Sequence, residues 1–276
     1  MHPVTYLFVP GTEDRKIGKA MQSDADAVIL DLEDSIADDM KEGAREHLAA
    51  YLRSQQPASA GPQVWVRINS NDSIFAADVE AIPWNKVHGA VLPKAERRER
   101  ITALIDAGAN RVLPIIESAA GFSALGKLVE AGNVERFAIG TWDLALDLGI
   151  VAVRPDDSEL IWQLRGDLVL ASRQFDLPPP VDGVYAQFDD DAGLQKFSEL
   201  AHRIGFTAKL LIHPRQIAVV NSVLRPDDHV LEHARAVIHV YEDAVRTGRG
   251  AVQLNGEMVD RPVVERARAL LRRYGS

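Results

Sequence analysis

Short apolar runs rich in Val, Ile and Leu alternate with longer amphipathic stretches along most of this chain. Apolar runs bounded by turn residues are typical of strands buried on both faces, which occur in parallel sheets. The alternation therefore predicts βαβ units around such a sheet. Eight strands are predicted, at Tyr6–Pro10, Ala27–Asp31, Val64–Ile68, Gly89–Pro93, Arg111–Ile116, Arg136–Gly140, Val181–Tyr185 and Lys209–His213.

Between these runs, apolar residues recur at the spacing of one helix face. Helices are predicted at Arg15–Gln22, Lys41–Arg53, Arg97–Ala107, Gly121–Ala131, Ser158–Gln174 and Ala192–Ile204. Eight strands alternating with helices predict an α/β fold of the (β/α)8 TIM barrel type. An open doubly wound sheet shows the same alternation, but it requires a glycine-rich first turn for a dinucleotide. The first turn here, Pro10-Gly11-Thr12-Glu13, lacks that motif.

The pattern changes after Pro214, where the chain becomes mainly helical. The tail is predicted to contain two helices, a short piece of alternating apolar residues and a last basic helix, at Arg215–Leu224, Asp228–Thr247, Ala251–Leu254 and from Pro262. We therefore predict a catalytic barrel domain over residues 1–214 and a C-terminal helical extension with a lid segment over residues 215–276. The Ser54–Gly61 stretch is predicted as a surface loop, because the alternation resumes in phase after it.

The amino-acid composition limits the kinds of partner and chemistry that are expected for such a fold. The 276 residues are 46% hydrophobic and 26% charged, which is the balance of a globular protein with a large core. The net charge of −9, without a basic stripe, argues against nucleic acid as a partner. Cysteine is absent, which excludes disulfides and thiolate chemistry. The sequence shows neither a signal peptide nor a long apolar run, so we expect a cytoplasmic protein without a membrane span.

Ionisable residues stand where the predicted strands end. Active sites of parallel barrels form at the carboxyl ends of the strands, because the loops that follow converge there. In chain order these ends carry Asp31-Leu32-Glu33-Asp34, Arg67-Ile68-Asn69, Lys94, Glu117, Gly140-Thr141-Trp142-Asp143 and His213-Pro214-Arg215. A charge at one strand end can simply reflect a solvated loop. Its recurrence at many ends predicts one polar site.

Glu117 and Asp143 are the candidate metal ligands. Carboxylates at successive strand ends suit Mg²⁺, which prefers oxygen ligands and takes few of them from the protein. The absence of Cys and of a His-x-x-x-His pair argues against zinc. The alternative is that both carboxylates stabilise helix N-termini. Arg67 is a candidate for binding an anionic small molecule, or for structural ion pairs with Glu33 or Asp34.

Several motifs, taken in order, resemble one enzyme family. They are Leu7-Phe8-Val9-Pro10-Gly11 with Arg15 and Lys19, Asp31-Leu32-Glu33-Asp34, Val66-Arg67-Ile68-Asn69, Leu92-Pro93-Lys94, Ile116-Glu117-Ser118-Ala119-Ala120-Gly121, Gly140-Thr141-Trp142-Asp143-Leu144 and Ile212-His213-Pro214. The set covers nearly the whole chain and resembles the citrate lyase β-subunit family of the HpcH/HpaI aldolase superfamily. The segment Asn255-Gly256-Glu257-Met258-Val259-Asp260-Arg261-Pro262 is similar to the C-terminal segment of its malyl-CoA and citramalyl-CoA lyases.

This resemblance implies a Mg²⁺-dependent barrel enzyme, often a homotrimer, that cleaves or forms a carbon–carbon bond between an acetyl thioester and a 2-oxo acid. It implies that Glu117 and Asp143 bind the metal. Asp260 matches an acidic residue that a neighbouring subunit's tail offers, and we assign catalysis to Asp260 and Arg67. Contacts to the substrate, including its CoA moiety, are implied at Arg67, Glu33, Asp34, Arg15, Lys19 and Lys94.

The chemistry of such a reaction calls for these groups. Cleavage of a β-hydroxyacyl thioester requires a cation near the developing 2-oxo group, and an arginine can hold the carboxylate bidentately. A carboxyl group over the acetyl carbon can donate a proton to the enolate, and Asp260 is the candidate. Its alternative role is to cap the last helix. Structural roles are expected for three residues near the strand ends, namely Trp142, Lys209 and His213.

The leading hypothesis is a lyase that cleaves citramalyl-CoA or malyl-CoA to acetyl-CoA and pyruvate or glyoxylate. A second hypothesis is the citryl lyase subunit of a citrate lyase complex, which acts on an acyl-carrier thioester. A third, from another class, is a non-catalytic module that binds a 2-oxo acid through a metal.

Overall fold

A closed barrel of eight parallel strands forms the centre of the fold, and its last strand pairs with its first. The computed structural model describes residues 2–55 and 61–275, so the middle of the predicted Ser54–Gly61 loop lies outside the described residues. The strands are β1 (Thr5–Pro10), β2 (Ala27–Asp31), β3 (Gln63–Arg67), β4 (Gly89–Leu92), β5 (Val112–Ile116), β6 (Ala138–Ile139), β7 (Val181–Asp182) and β8 (Ala208–Leu211). The predicted (β/α)8 barrel is confirmed.

Helices follow the strands in turn. They are α1 (Asp14–Met21), α2 (Lys41–Ser54), α3 (Asp72–Ala81), α4 (Arg98–Asp106), α5 (Ala119–Val129), α6 (Thr141–Asp147), α7 (Glu159–Gln174), α8 (Asp191–Ile204) and α9 (Gln216–Leu224). Two of them, α3 and α6, are missing from the sequence prediction. In the described ranges, no helix is long and apolar enough to cross a bilayer.

Two strands, β6 and β7, are three residues shorter than predicted. The backbone leaves β6 at Gly140, whose φ of −103° and ψ of 88° turn the chain directly into α6. Beyond β7, the carbonyl of Tyr185 accepts a hydrogen bond from the side chain of Gln216 at 2.9 Å instead of pairing with a neighbouring strand. Both chain segments therefore become loops before the predicted strand ends.

Apolar side chains from all eight strands meet in one buried cluster, which fills the barrel. Its members are Tyr6, Ala27, Ile29, Trp65, Val91, Leu113, Ile115, Ala138, Val181, Ala208 and Leu210. Trp65 is the largest of them, and Gly89 makes room for it: a Cβ at Gly89 would lie 2.5 Å from Cζ3 of the indole. The interior of the barrel is thus filled with apolar side chains.

The chain divides into two compact units, residues 3–224 and residues 225–275 with His2. The second unit contains α10 (Asp228–Arg246), β9 (Val252–Leu254), β10 (Glu257–Val259) and α11 (Arg261–Tyr274). β9 and β10 form a hairpin whose turn residues, Asn255 and Gly256, both have positive φ angles, as type I′ turns require. The predicted helices are present, β10 is an addition, and the domain boundary at residue 214 stays a prediction.

Candidate active site

Glu117 directly follows β5 and is buried at the carboxyl end of the barrel. Its Oε1 accepts a hydrogen bond from the backbone N–H of Lys94 at 2.6 Å. On the other side, a Cβ at Gly140 would lie 2.2 Å from Oε2, so the missing side chain makes room for the carboxylate. Ser118, not Glu117, caps α5, because its hydroxyl accepts from the N–H of Gly121. Glu117 stands one residue before the cap and does not itself cap α5, and its metal role stays a prediction.

Asp143 lies in the first turn of α6, one element further along the barrel. Its carboxylate is half-exposed, and Oδ1 is 3.9 Å from the ammonium of Lys94. An acidic residue in a first turn also interacts favourably with the helix dipole, so this role and a ligand role are compatible at Asp143.

Arg67 ends β3 and is held by three carboxylates. Its Nε and Nη2 donate to Asp31 at 2.6 and 2.7 Å, and its Nη1 lies 2.8 Å from Glu33 and 3.0 Å from Asp34. The ring of Phe8 stacks below the guanidinium at 4.5 Å. The ion pairs foreseen as an alternative role are present, and Asp31, the strongest partner, was not among the predicted site residues.

Burial and crowding raise the pKa values of two carboxyl groups. For Glu33, burial and the charges of Asp34 and Asp31 outweigh the cations Arg67 and Lys94 and raise the pKa to about 7. For Glu117, burial, then Glu33 and Asp143, raise the pKa to about 8. Five carboxyl groups, those of Asp31, Glu33, Asp34, Glu117 and Asp143, thus lie close to Arg67 and Lys94 at this end of the barrel.

Lys94 lies two residues beyond β4 in an unusual backbone conformation, with a φ of +46°. The side chain is 46% exposed, and its ammonium lies 3.6 Å from Oε1 of Glu33. Burial lowers the pKa of Lys94, but the carboxylates of Glu33, Asp143 and Glu117 together raise it above its usual value. A left-handed, non-glycine residue is strained and persists where its surroundings fix it.

The carboxylates fit a hard divalent cation. In the described part of the chain, no group of three or more His, Asp or Glu side chains is arranged to surround one ion. Mg²⁺ nevertheless tolerates such a site, because it commonly takes one or two carboxylates and fills its octahedron with water and substrate oxygens. Glu117 and Asp143 both lie beside Lys94, whose N–H binds the first carboxylate and whose ammonium is 3.9 Å from the second, and these two carboxylates would hold the cation.

Three predicted site residues remain, Arg15, Lys19 and Asp260. Arg15 and Lys19 are exposed on α1, and among the described residues neither forms an ion pair with these carboxylates. Asp260 belongs to the second compact unit and caps α11, where its Oδ1 accepts from the N–H of Val263 at 3.2 Å. The capping role is confirmed, and the catalytic role of Asp260 stays a prediction.

Two of the three expected structural residues make structural contacts, whereas the role of Trp142 stays a prediction. Lys209 is buried and pairs with Asp182, which also accepts from Nε of Arg165 at 2.8 Å. His213 is partly buried and stacks on Phe188, with ring centroids 5.0 Å apart. Trp142 is 41% exposed beside Asp143.

Comparison with known proteins identifies the family. Residues 5–214 match the family described as HpcH/HpaI aldolase/citrate lyase. The chain belongs to this family. The match spans all eight barrel strands and includes every predicted site residue except Asp260, so the predicted resemblance is confirmed.

Relatives of known name extend over nearly the whole chain. A (3S)-malyl-CoA thioesterase of Cereibacter sphaeroides is 34% identical over 98% of this chain and 94% of its own length. The citrate lyase subunit beta of Escherichia coli K12 is 31% identical over 97% and 91%. The crystal structure of CitE from Mycobacterium tuberculosis in complex with magnesium, acetoacetate and coenzyme A superposes with a TM-score of 0.81, at 31% identity over 99% and 98% of the two chains.

Two residues that shape this rim, Asp31 and Gly140, were not among the predicted site residues. Asp31 stands at a strand end immediately before Leu32-Glu33, and a buried carboxylate in register with Arg67 on the next strand is a natural partner. The role of Gly140 depends on distance alone, because its backbone angles do not require glycine.

Proposed function

We propose that this protein is a Mg²⁺-dependent carbon–carbon lyase that cleaves a β-hydroxyacyl-CoA of the citramalyl-CoA or malyl-CoA type. The products would be acetyl-CoA and a 2-oxo acid, either pyruvate or glyoxylate. The observation that carries the proposal is the convergence of Glu117, Asp143 and Arg67 on one rim of the barrel, together with the carboxylates of Asp31, Glu33 and Asp34. The magnesium and coenzyme A of the CitE complex support the choice of cofactor and thioester.

Arg67 orients the substrate in this proposal. Its Nε and Nη2 are committed to Asp31, which is buried and keeps the guanidinium in one plane. Its Nη1 edge faces the more exposed Asp34, the contact that a substrate carboxylate can replace most readily. A planar guanidinium fixed in this way presents defined donors, which a lysine ammonium does not.

Glu117 and Asp143 would hold the metal, and the carboxylate of Glu117 is fixed by more contacts than that of Asp143. The N–H of Lys94 and the wall at Gly140 fix its carboxylate from two sides. When bound, Mg²⁺ supplies positive charge that stabilises the oxygen that becomes the 2-oxo group. The fixed donors need not rearrange during the reaction, which is the general source of electrostatic catalysis.

Asp260 would act as the acid at the acetyl carbon, offered by the tail of a neighbouring subunit in a homotrimer. Its Oδ2 is the candidate proton donor, because Oδ1 accepts the cap hydrogen bond of α11. The cap also fixes the rotamer of the side chain. Both the trimer and the cytoplasmic location belong to this proposal.

Hydrolysis of the thioester is a second candidate activity. Several relatives from Cereibacter sphaeroides are (3S)-malyl-CoA thioesterases, which are 33–34% identical over 98% of this chain. A hydrolase would release free CoA and malate and leave the carbon–carbon bond intact. A citryl lyase subunit and a non-catalytic 2-oxo-acid-binding module are further alternatives, and the E. coli citrate lyase subunit beta supports the first of these.

Product analysis separates these activities. Citramalyl-CoA and malyl-CoA are incubated with the protein in Mg²⁺ or in EDTA, and acetyl-CoA, free CoA, malate, pyruvate and glyoxylate are quantified by chromatography. The proposal expects metal-dependent acetyl-CoA with an equal amount of 2-oxo acid. Malate with free CoA would instead establish the thioesterase. Silence on both esters would point to a carrier-bound substrate or a binding role.

Two substitutions test the metal ligands. Glu117→Gln and Asp143→Asn each preserve side-chain size and remove a charge, and each is expected to lower turnover by at least about a hundredfold. Glu130→Gln and Asp106→Asn are the matched controls, because both residues are exposed on the outer helical layer. Full activity in either ligand variant would refute this site.

A further inference from the structure

Lys94 contributes two different groups to the rim. Its backbone N–H is a hydrogen-bond donor to Glu117, at 2.6 Å. Its ammonium lies 3.6 Å from Glu33 and 3.9 Å from Asp143. The first distance is a hydrogen bond, whereas the other two are longer than hydrogen bonds. The backbone of Lys94 is therefore fixed, and its side chain is only electrostatically attracted.

The charges that face the ammonium come from three elements. Glu33 lies in the loop after β2, Glu117 follows β5 and Asp143 lies in α6, with Asp34 further out. Two further cations near this rim are already engaged. Arg67 is 12% exposed and bound by Asp31, Glu33 and Asp34, and the buried Lys41 donates to the backbone carbonyls of Leu32 and Glu33. Lys94, at 46% exposure, is thus the cation that can change partners at low cost.

A divalent cation on Glu117 and Asp143 would change this balance. It would neutralise two of the carboxylates that attract Lys94, leaving Glu33, and would repel the ammonium from a few ångströms away. The side chain is long and half-exposed, so it can swing toward the mouth of the barrel. The strained backbone holds the Glu117 carboxylate meanwhile, because its hydrogen bond does not depend on the ammonium.

We propose that Lys94 is a movable counter-ion that couples metal binding to anion binding: its ammonium balances Glu33 and Asp143 until a divalent cation binds, and then pairs with a carboxylate oxygen of the ligand. This inference rests on the proposed function. It adds a positioning residue whose two groups act separately, the amide on the ligand Glu117 and the ammonium on the incoming anion. By linkage, the metal and the anion then strengthen each other's binding.

Calorimetry on the intact protein tests the coupling without relying on turnover. Mg²⁺ is titrated into the parent and into Lys94→Met, which keeps the length of the side chain and removes its charge. Without pyruvate, Mg²⁺ is expected to bind roughly fivefold more tightly to Lys94→Met, because a competing positive charge is gone. In saturating Mg²⁺, pyruvate is expected to bind roughly tenfold more weakly to the same variant.

Two further variants keep the result interpretable. Lys127→Met removes an equal charge from the exposed face of α5 and is expected to match the parent. Lys94→Gly removes the ammonium but adopts a positive φ without strain, so it reports the charge effect even if Lys94→Met folds poorly.

The outcomes distinguish a failure of the counter-ion role from a failure of the proposed function. Unchanged or weaker Mg²⁺ binding in both Lys94 variants would overturn the counter-ion role, as would pyruvate binding in the parent that gains nothing from Mg²⁺. A parent that binds no Mg²⁺ at all would overturn the proposed function and this inference together. Tighter Mg²⁺ with weaker pyruvate in the variants would establish the coupling.

Discussion

The space beside Glu117 gives a sharp test of the rim, through the substitution Gly140→Ala. The backbone of Gly140, at φ −103° and ψ 88°, is open to any L-residue, so alanine adds no strain of its own. Its Cβ would, however, lie 2.2 Å from Oε2 and 2.7 Å from Cβ of Glu117. The third near atom is Cγ2 of Ile115, at 3.0 Å, so the variant perturbs Glu117 most.

The size of the effect follows from those distances. Oε2 has to move by about 1 Å to reach an ordinary contact distance, and the Cβ of Glu117 leaves the rest of the side chain little room to pivot. A misplacement of about 1 Å in a catalytic group can cost on the order of a hundredfold in rate. Overpacking of this kind also lowers the free energy of unfolding by about 1–3 kcal/mol.

The assay combines steady-state turnover with Mg²⁺ titration and urea unfolding. Gly140→Ala is expected to lose about a hundredfold in kcat and to bind Mg²⁺ more weakly while remaining folded. Gly166→Ala is the control, because a Cβ at this position of α7 meets nothing within 4 Å and alanine favours a helix. A folded Gly140→Ala protein with parental turnover and Mg²⁺ affinity would refute the role given to Glu117.

Three other substitutions test separate parts of the structure. Arg67→Lys cannot reproduce the paired hydrogen bonds of the guanidinium, so kcat/KM should fall by roughly a hundredfold or more; an unchanged value would exclude Arg67 from substrate binding. Asp260→Asn keeps the helix cap but loses the acid, so the melting temperature should be unaffected while turnover is lost. If Asp260 acts across subunits, mixing the inactive Asp260→Ala and Arg67→Ala proteins should restore part of the activity. Burial raises the pKa of the Asp182 carboxyl, but Arg165 and Lys209 more than offset this and hold it below its usual range. Because the folded pKa is depressed, the stabilisation is complete above the unfolded pKa of about 3.9 and is lost as pH falls through the folded value. Asp182→Asn should therefore destabilise the protein by about 3–5 kcal/mol at pH 7 and weaken the pH dependence of urea unfolding below pH 5; a neutral effect would contradict the buried ion pairs.

The barrel was predictable because its strands are buried on both faces and stand out as apolar runs. The two missed helices lack comparable signals. In α3, only Asp78 is buried, and the apolar residues are spread around the helix. Helix α6 is only seven residues long and begins directly after Gly140, so the sequence there looks like the end of a strand.

The candidate site was predictable as a set of strand ends, because parallel topology brings such ends together. The partners within the set were not. Asp31 and Glu33 are two residues apart, and only the closed barrel shows that both reach Arg67. The left-handed backbone of Lys94 likewise has no local signature, since glycine or asparagine is the residue expected in that conformation.

The closure of the barrel between β1 and β8 has a consequence for how the chain is made. β1 is complete by residue 10, yet its second neighbour, β8, begins only at residue 208. At a synthesis rate of about 5–20 residues per second, the outer edge of β1 waits on the order of 10–40 s for its partner. During that interval a nascent chain presents unpaired backbone donors and acceptors to its surroundings. The speed of translation between β1 and β8, and the access of chaperones to the chain during that time, should therefore influence the yield of folded protein. Changes in translation speed near either terminus should matter less.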